Sequence, residues 1–191
     1  TSTDSEKPLY DQIEEITDGP DLIEIFGGSG SGKSVFSTQI LNSAINDKGL
    51  DALFIDAERN VGDMGDISGS DYVYLPEWHD LYDYITGNSV DSSAFGENTT
   101  NSNVLEPGYD MIVFDSIGFP ALVQYADYRV SDNADQFKVF LELQHITGKL
   151  KQYSQRSECM VIVTNQPKSD LSGETDPKPF GDKSIFGMKE V

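Results

Sequence analysis

Cysteine occurs once in 191 residues, so no internal disulfide can form, and the run Met160-Val161-Ile162-Val163 after Cys159 predicts a buried thiol. Long hydrophobic runs are missing as well. Nothing approaches the roughly 18 consecutive apolar residues of a membrane-spanning helix, and Thr1 to Asp11 is polar and acidic rather than signal-like. The expectation is an unsecreted, cytoplasmic protein with no membrane partner. Positive charge is the third scarcity: 13 Lys and Arg stand against 33 Asp and Glu, a net charge of −20. Such a surface keeps a chain soluble by self-repulsion and repels polyanions at low salt. High salt shortens the Debye length and screens that repulsion, so the composition predicts a halophilic source. The cations are also unevenly placed. Residues 1–137 hold 5 basic and 26 acidic groups, whereas residues 138–191 hold 8 and 7, which puts any anion-facing surface in the last third.

The length suits one compact domain. Short apolar runs rich in β-branched residues alternate with helical patterns, the signature of an α/β fold with a mainly parallel central sheet flanked by helices. Strands are predicted at Leu22–Phe26, Ala52–Ile55, Tyr72–Leu75, Met111–Phe114 and Met160–Val163. Helical stripes are formed by Phe36, Ile40, Leu41, Ala44 and Ile45, and by Trp78, Leu81, Tyr82 and Ile85. A longer helix follows Asn133, a cap candidate: Val139, Leu143, Ile146, Leu150 and Tyr153 repeat at steps of four and three. Residues 1–20 read as an acidic N-terminal segment and 21–191 as the domain. Within it, 86–108 is rich in Ser, Asn, Thr and Gly and reads as a flexible surface insertion. The acceptor pattern Asn98-Thr99-Thr100 inside it is assigned to chance.

Gly27-Gly28-Ser29-Gly30-Ser31-Gly32-Lys33-Ser34 satisfies G-x-x-x-x-G-K-[ST], with a predicted strand before it and an amphipathic helix, beginning near Lys33, after it, and these residues with Val35 are the candidate nucleotide-binding set. Glycines let the backbone curl so that successive N–H groups face phosphate oxygens, and the helix adds the positive end of its dipole. Lys33 is placed to reach the β- and γ-phosphates, and Ser34 to ligate the magnesium that bridges them. Magnesium also calls for a carboxylate at a second strand end, and Met111-Ile112-Val113-Phe114-Asp115 supplies one in Asp115. A third strand ends in Asp56-Ala57-Glu58. Carboxylates at neighbouring strand ends of a parallel sheet converge on one crevice, so Glu58 is the candidate for activating the attacking water, with Asp56 as its competitor. Gln166 follows a buried strand and carries an amide that can donate to a phosphate oxygen, a chemistry suited to a switch or to an ordinary loop start.

In these residues the chain resembles the RecA-like P-loop ATPases, and among them the archaeal RadA recombinases and their paralogues. Leu22-Ile23-Glu24-Ile25-Phe26-Gly27 and Gly30-Ser31-Gly32-Lys33-Ser34 are similar to that family's first strand and P-loop. Phe54-Ile55-Asp56-Ala57-Glu58 is similar to the strand with its catalytic glutamate, Asp115-Ser116 to its second acidic strand end, and Val161-Ile162-Val163-Thr164-Asn165-Gln166 to the strand that ends in its Asn-Gln pair. Asp176-Pro177-Lys178-Pro179-Phe180-Gly181 looks like the end of its DNA-binding loop. The resemblance implies ATP and Mg2+ as cofactors, Glu58, Lys33 and Gln166 as catalytic residues with Gln166 sensing the γ-phosphate, and slow hydrolysis that depends on DNA, a partner or oligomerisation. It implies a role in or alongside DNA recombination and repair, single-stranded DNA as a ligand, and a homo-oligomer or a RecA-family partner.

Two departures stand beside it. No Phe-x-x-Ala segment precedes the core, and the loop 167–180 sets Lys168 and Lys178 against Asp170, Glu174 and Asp176, a net charge of −1. DNA affinity rests largely on neutralised phosphates, so this loop predicts weak binding at ordinary salt. That poverty of cations supports an alternative, a nucleotide-gated assembly module similar to the KaiC-like or archaellum-associated members of the superfamily. Only three arginines are present, Arg59, Arg129 and Arg156, and Arg59 alone adjoins the site.

Overall fold

The computed structural model describes residues 7–59, 67–95, 104–128, 133–167 and 189–190. Six strands form one sheet: β1 (Leu22–Phe26), β2 (Ala52–Asp56), β3 (Asp71–Tyr74), β4 (Met111–Asp115), β5 (Met160–Asn165) and the two-residue β6 (Lys189–Glu190). Their spatial order is β3-β2-β4-β5-β1-β6, and every pairing is parallel. Parallel neighbours require crossovers, and helices lie in the connections from β1 to β2, from β3 to β4 and from β4 to β5. The described helices are α1 (Leu9–Thr17), which precedes β1, α2 (Lys33–Lys48), α3 (Trp78–Thr86), α4 (Gly118–Tyr128) and α5 (Asn133–Ser157).

Strand alternation divides the core in two, because successive side chains point to opposite faces. Ile23, Ile25, Phe54, Met111, Val113, Met160 and Ile162 pack with Ile40, Leu41 and Ala44 of α2 and with Tyr10 and Ile13 of α1. Leu22, Leu53, Ile55, Ile112, Phe114, Val161 and Val163 pack instead with Trp78 and Leu81 of α3 and with Val139, Leu143, Ile146 and Leu150 of α5. The predicted seam of the long helix is thus its buried face. Cys159 is fully buried, and burial pushes its thiol up to about 12.

Helix ends follow local chemistry. Gly49 at φ 69° ends α2, and the Leu50 N–H closes back on the Ala44 carbonyl at 3.1 Å, a left-handed glycine stop. Some described elements add to the sequence expectation, the short strand β6 among them. The acidic N-terminal segment contains α1, which buries Tyr10, Ile13 and Thr17 and ties to α2 through Lys48 and Asp11 at 2.8 Å. Helix α4 is not among the helices expected from the sequence, and it accommodates Pro120 because a proline within the first turn lacks only an N–H that has no intrahelical acceptor. In the 86–108 stretch the described ends are anchored rather than loose. Val90 is buried, Phe95 packs edge-on against Tyr84 with centroids 6.1 Å apart, and Leu105 N–H donates to the Tyr84 carbonyl at 3.0 Å. Isolated anchors of this kind carry no period, which is why the sequence does not announce them. Residues Asn98-Thr99-Thr100 lie outside the described residues, as do the side chain of Asn133, Arg129, and 168–188 with its predicted DNA loop. Among the described residues no helix is long and apolar enough to cross a membrane.

Candidate functional site

Strand β1 runs into the P-loop and α2 leaves it, so Gly27 to Ser34 caps the carboxyl edge of the sheet beside the ends of β2, β4 and β5. The loop needs glycine where it turns: Gly30 and Gly32 lie at φ 74° and 90°, in the left-handed region. Gly27 is constrained by space instead, since a Cβ there would stand 2.8 Å from the Ser31 hydroxyl. Gly28, Ser29, Gly30 and Ser31 are exposed, as is Val35 in the first turn of α2. Lys33 Nζ curls over the loop and donates to the carbonyls of Gly27 and Gly28 at 2.9 and 3.1 Å. The Ser34 carbonyl is occupied by the hydroxyls of Ser37 and Thr38, at 3.0 and 2.8 Å.

Asp115 ends β4 on the α2 face of the sheet. It is 1% exposed; Oδ1 accepts from the Thr164 hydroxyl, and Oδ2 is buried with no hydrogen-bond partner. Burial raises its pKa. The hydroxyls of Thr164 and Ser34 pull the other way, and the charges of Glu58 and Asp56 add to the rise. The Asp115–Ser116 peptide is cis.

The two acids ending β2 part company. Asp56 is fully committed: Oδ1 accepts from the N–H groups of Glu58 and Arg59 at 2.9 and 2.7 Å, and Oδ2 from the Tyr72 hydroxyl at 2.9 Å. It shapes the turn. Glu58 reaches across to β4 and β5, where Oε1 accepts from the Ser116 hydroxyl and from Gln166 Nε2, the latter at 3.3 Å. The Arg59 guanidinium lies 6.0 Å from the centroid of the Tyr74 ring.

Of the predicted residues, Ser34, Asp115, Glu58 and Gln166 lie together at the carboxyl edge of the sheet, and Lys33 is bonded within the adjoining loop. Thr164 and Ser116, not singled out in the sequence, join them. Their signal was present in register: Thr164 shares the Met160–Ile162 face, and β4 pairs with β5, which sets Thr164 beside Asp115.

A divalent ion fits these groups. An orphaned buried carboxylate oxygen beside a hydroxyl is a hard oxygen donor set, and burial is tolerated by a carboxylate that meets a cation. No cluster of three His, Cys, Asp or Glu side chains able to hold a metal occurs among the described residues, so such an ion would draw its other ligands from phosphate and water.

No protein-family model matches the sequence, and no curated protein does either. Solved structures do match, among them the crystal structure of the RadB recombinase, with a TM-score of 0.59 over 92% of this chain and 76% of that one, at 16% identity. An identity this low speaks to architecture alone. The chain has the RecA-like α/β fold, a mainly parallel sheet flanked by helices with the P-loop at its carboxyl edge.

Proposed function

We propose that this chain is an ATP-binding and hydrolysing protein of the RecA/RadA kind, with Mg2+ as its metal, acting in or alongside DNA recombination and repair. The observation that carries the reading is Asp115: a buried carboxylate with one oxygen unpartnered, at a strand tip facing the P-loop Ser34. In this reading Gly27–Ser34 and the first turn of α2 at Val35 cradle the phosphates, and Lys33 exchanges its bonds to Gly27 and Gly28 for phosphate oxygens. Ser34 and Asp115 hold the metal, which supplies neutralisation of charge on the phosphate oxygens. Glu58 takes the proton of the attacking water, a task for which Asp56 has no free oxygen. Gln166, hydrogen-bonded to Glu58, is the group that registers the γ-phosphate.

DNA and a second subunit enter from the likeness of fold to the RadB recombinase and from the residues that resemble RadA. The cation-poor 167–180 loop supports weak DNA binding, and it equally supports the alternative of a nucleotide-gated assembly module. Calorimetry, phosphate release and mass in solution, measured in molar KCl with and without single-stranded DNA, separate these readings. Uptake of MgATP that is lost in Lys33→Ala is expected, together with slow hydrolysis. A rate and mass that respond to DNA support recombination, and indifference of both to DNA leaves the assembly module. Equal MgATP uptake by Lys33→Ala would overturn the ATPase reading itself.

A further inference from the structure

Glu24 is a carboxylate in the middle of a buried strand. It is 0% exposed, on the sheet face where Leu22, Val161 and Val163 pack against α5. An apolar β-branched residue would satisfy that position at lower desolvation cost, so a carboxylate there calls for a specific partner. The partner is Asn165, the last residue of β5: its Nδ2 donates to Glu24 Oε1 at 2.7 Å, and both groups are buried. Asn165 spends its other end on the chain that follows, since Oδ1 accepts from the Gln166 N–H at 2.8 Å. The orientation of this amide is dictated by its neighbours. A carboxylate oxygen beside an amide plane asks for NH2, and a backbone N–H asks for C=O, so both ends are fixed only while both partners are present. The same residue is tied through its carbonyl, which accepts from the Gly27 N–H at 3.4 Å, to the first glycine of the P-loop.

We infer that Glu24 is a positioning residue of the nucleotide site: through Asn165 it fixes the turn at which Gln166 leaves β5, and so the reach of the Gln166 amide to Glu58. The inference rests on the ATPase reading above and adds to it a residue that touches no reacting atom. Without an acceptor at position 24, Nδ2 loses its bond to Glu24, and that bond no longer sets the orientation of the Asn165 amide. Gln166 then departs from a less firmly set base, while Ser34 and Asp115 keep their arrangement, and the bond from the Gly27 N–H runs to the Asn165 backbone carbonyl and not to the amide that is released.

The test compares Glu24→Val, close in bulk and without an acceptor, with Glu24→Gln, whose carbonyl can still accept from Asn165. In the valine variant kcat is expected to fall about tenfold or more, with KM and MgATP affinity within about threefold of the parent; the glutamine variant should recover most of the rate. Side-chain and backbone 15N signals of Asn165 and Gln166 give a readout independent of turnover. Protection of the Gln166 amide from exchange should drop in the valine variant and persist in the glutamine one. Unchanged kcat and unchanged protection in Glu24→Val would overturn the inference, as would parallel losses of rate, MgATP affinity and thermal midpoint in both variants. If the valine chain does not fold, Asn165→Asp, which sets a second carboxylate against Glu24, is expected to show the same split between rate and affinity, and an unaltered rate there counts against the inference. A parent that binds no MgATP sinks the ATPase reading instead, and the exchange measurement then decides the role of Glu24 by itself.

Discussion

Ser116 donates its hydroxyl hydrogen to Glu58 Oε1, the same carboxylate oxygen that Gln166 Nε2 approaches at 3.3 Å. The ends of β4 and β5 thus both bear on the acid that ends β2, and their two bonds fix the Glu58 carboxylate through one of its oxygens. Replacing Glu58 by Gln keeps the shape and the hydrogen bonds but removes the proton acceptor. Hydrolysis should fall by about 10²–10⁴-fold, the range of general-base contributions, with MgATP affinity nearly unchanged in calorimetry. Phosphate release at the parental rate would show that another group activates the water.

Thr164 presents a second relationship of this kind, with Asp115 as its acceptor. A hydroxyl that pins one carboxylate oxygen leaves the other aimed, and loss of such a support typically costs about 10–100-fold in metal affinity. Thr164→Val should therefore weaken the magnesium dependence of nucleotide binding by about that factor while nucleotide affinity without magnesium holds. A titration of MgCl2 at fixed ATP reads it directly, and an unshifted midpoint would show that the Thr164 hydroxyl does not support the metal site.

What the sequence made legible is the part of the fold that repeats. Strands β1, β2, β4 and β5 could be located because their burial on both faces demands continuous apolar runs, and the α5 seam because its burial demands a period of 3.6. Sites at the strand tips followed, since a parallel sheet brings successive carboxyl ends together without any long-range inference. Single events were not legible. Asp56 and Glu58 are two residues apart and chemically alike, and only the turn they form decides that Asp56 binds backbone N–H groups while Glu58 spans the crevice. Glu24 reads as one more acid among 33, and its role depends on a register, Phe26 beside Asn165, that pairs residues far apart in the chain. Helix α4 was not singled out, and Pro120 in its first turn shows that a proline's cost depends on where in the helix it falls.

Gly118, at the start of α4, provides a prediction in which space rather than backbone angle is limiting. A Cβ at this position would collide with Asn165 Oδ1 and lie 3.1 Å from the Gln166 amide nitrogen. Alanine is a better helix former, by about 1 kcal/mol in an exposed helix interior. Here the expected result is the reverse. Gly118→Ala should lower the denaturant midpoint and depress hydrolysis about tenfold or more by displacing the turn that carries Gln166. A stabilised, fully active variant would mean that α4 and the β5 tip can separate at no cost.

Cys159 offers a built-in probe of the whole domain. Burial holds its thiol in the neutral form, with a pKa pushed up to about 12, and its N–H is hydrogen-bonded to the Ser154 carbonyl at 3.1 Å where α5 turns into β5. The thiolate is the reactive species, so alkylation at pH 8 in molar KCl must await an opening that exposes the group to water. Native chain should react orders of magnitude more slowly than the denatured chain. Ligand that binds only the folded state lowers the open population, and free MgATP at about 100 times its dissociation constant should slow labelling by about 100-fold if that opening is global. ATP with a chelator should protect less. Labelling that ignores bound MgATP would place the opening locally at the α5–β5 junction, and rapid labelling of the native chain would contradict the burial of β5 on which the site is built.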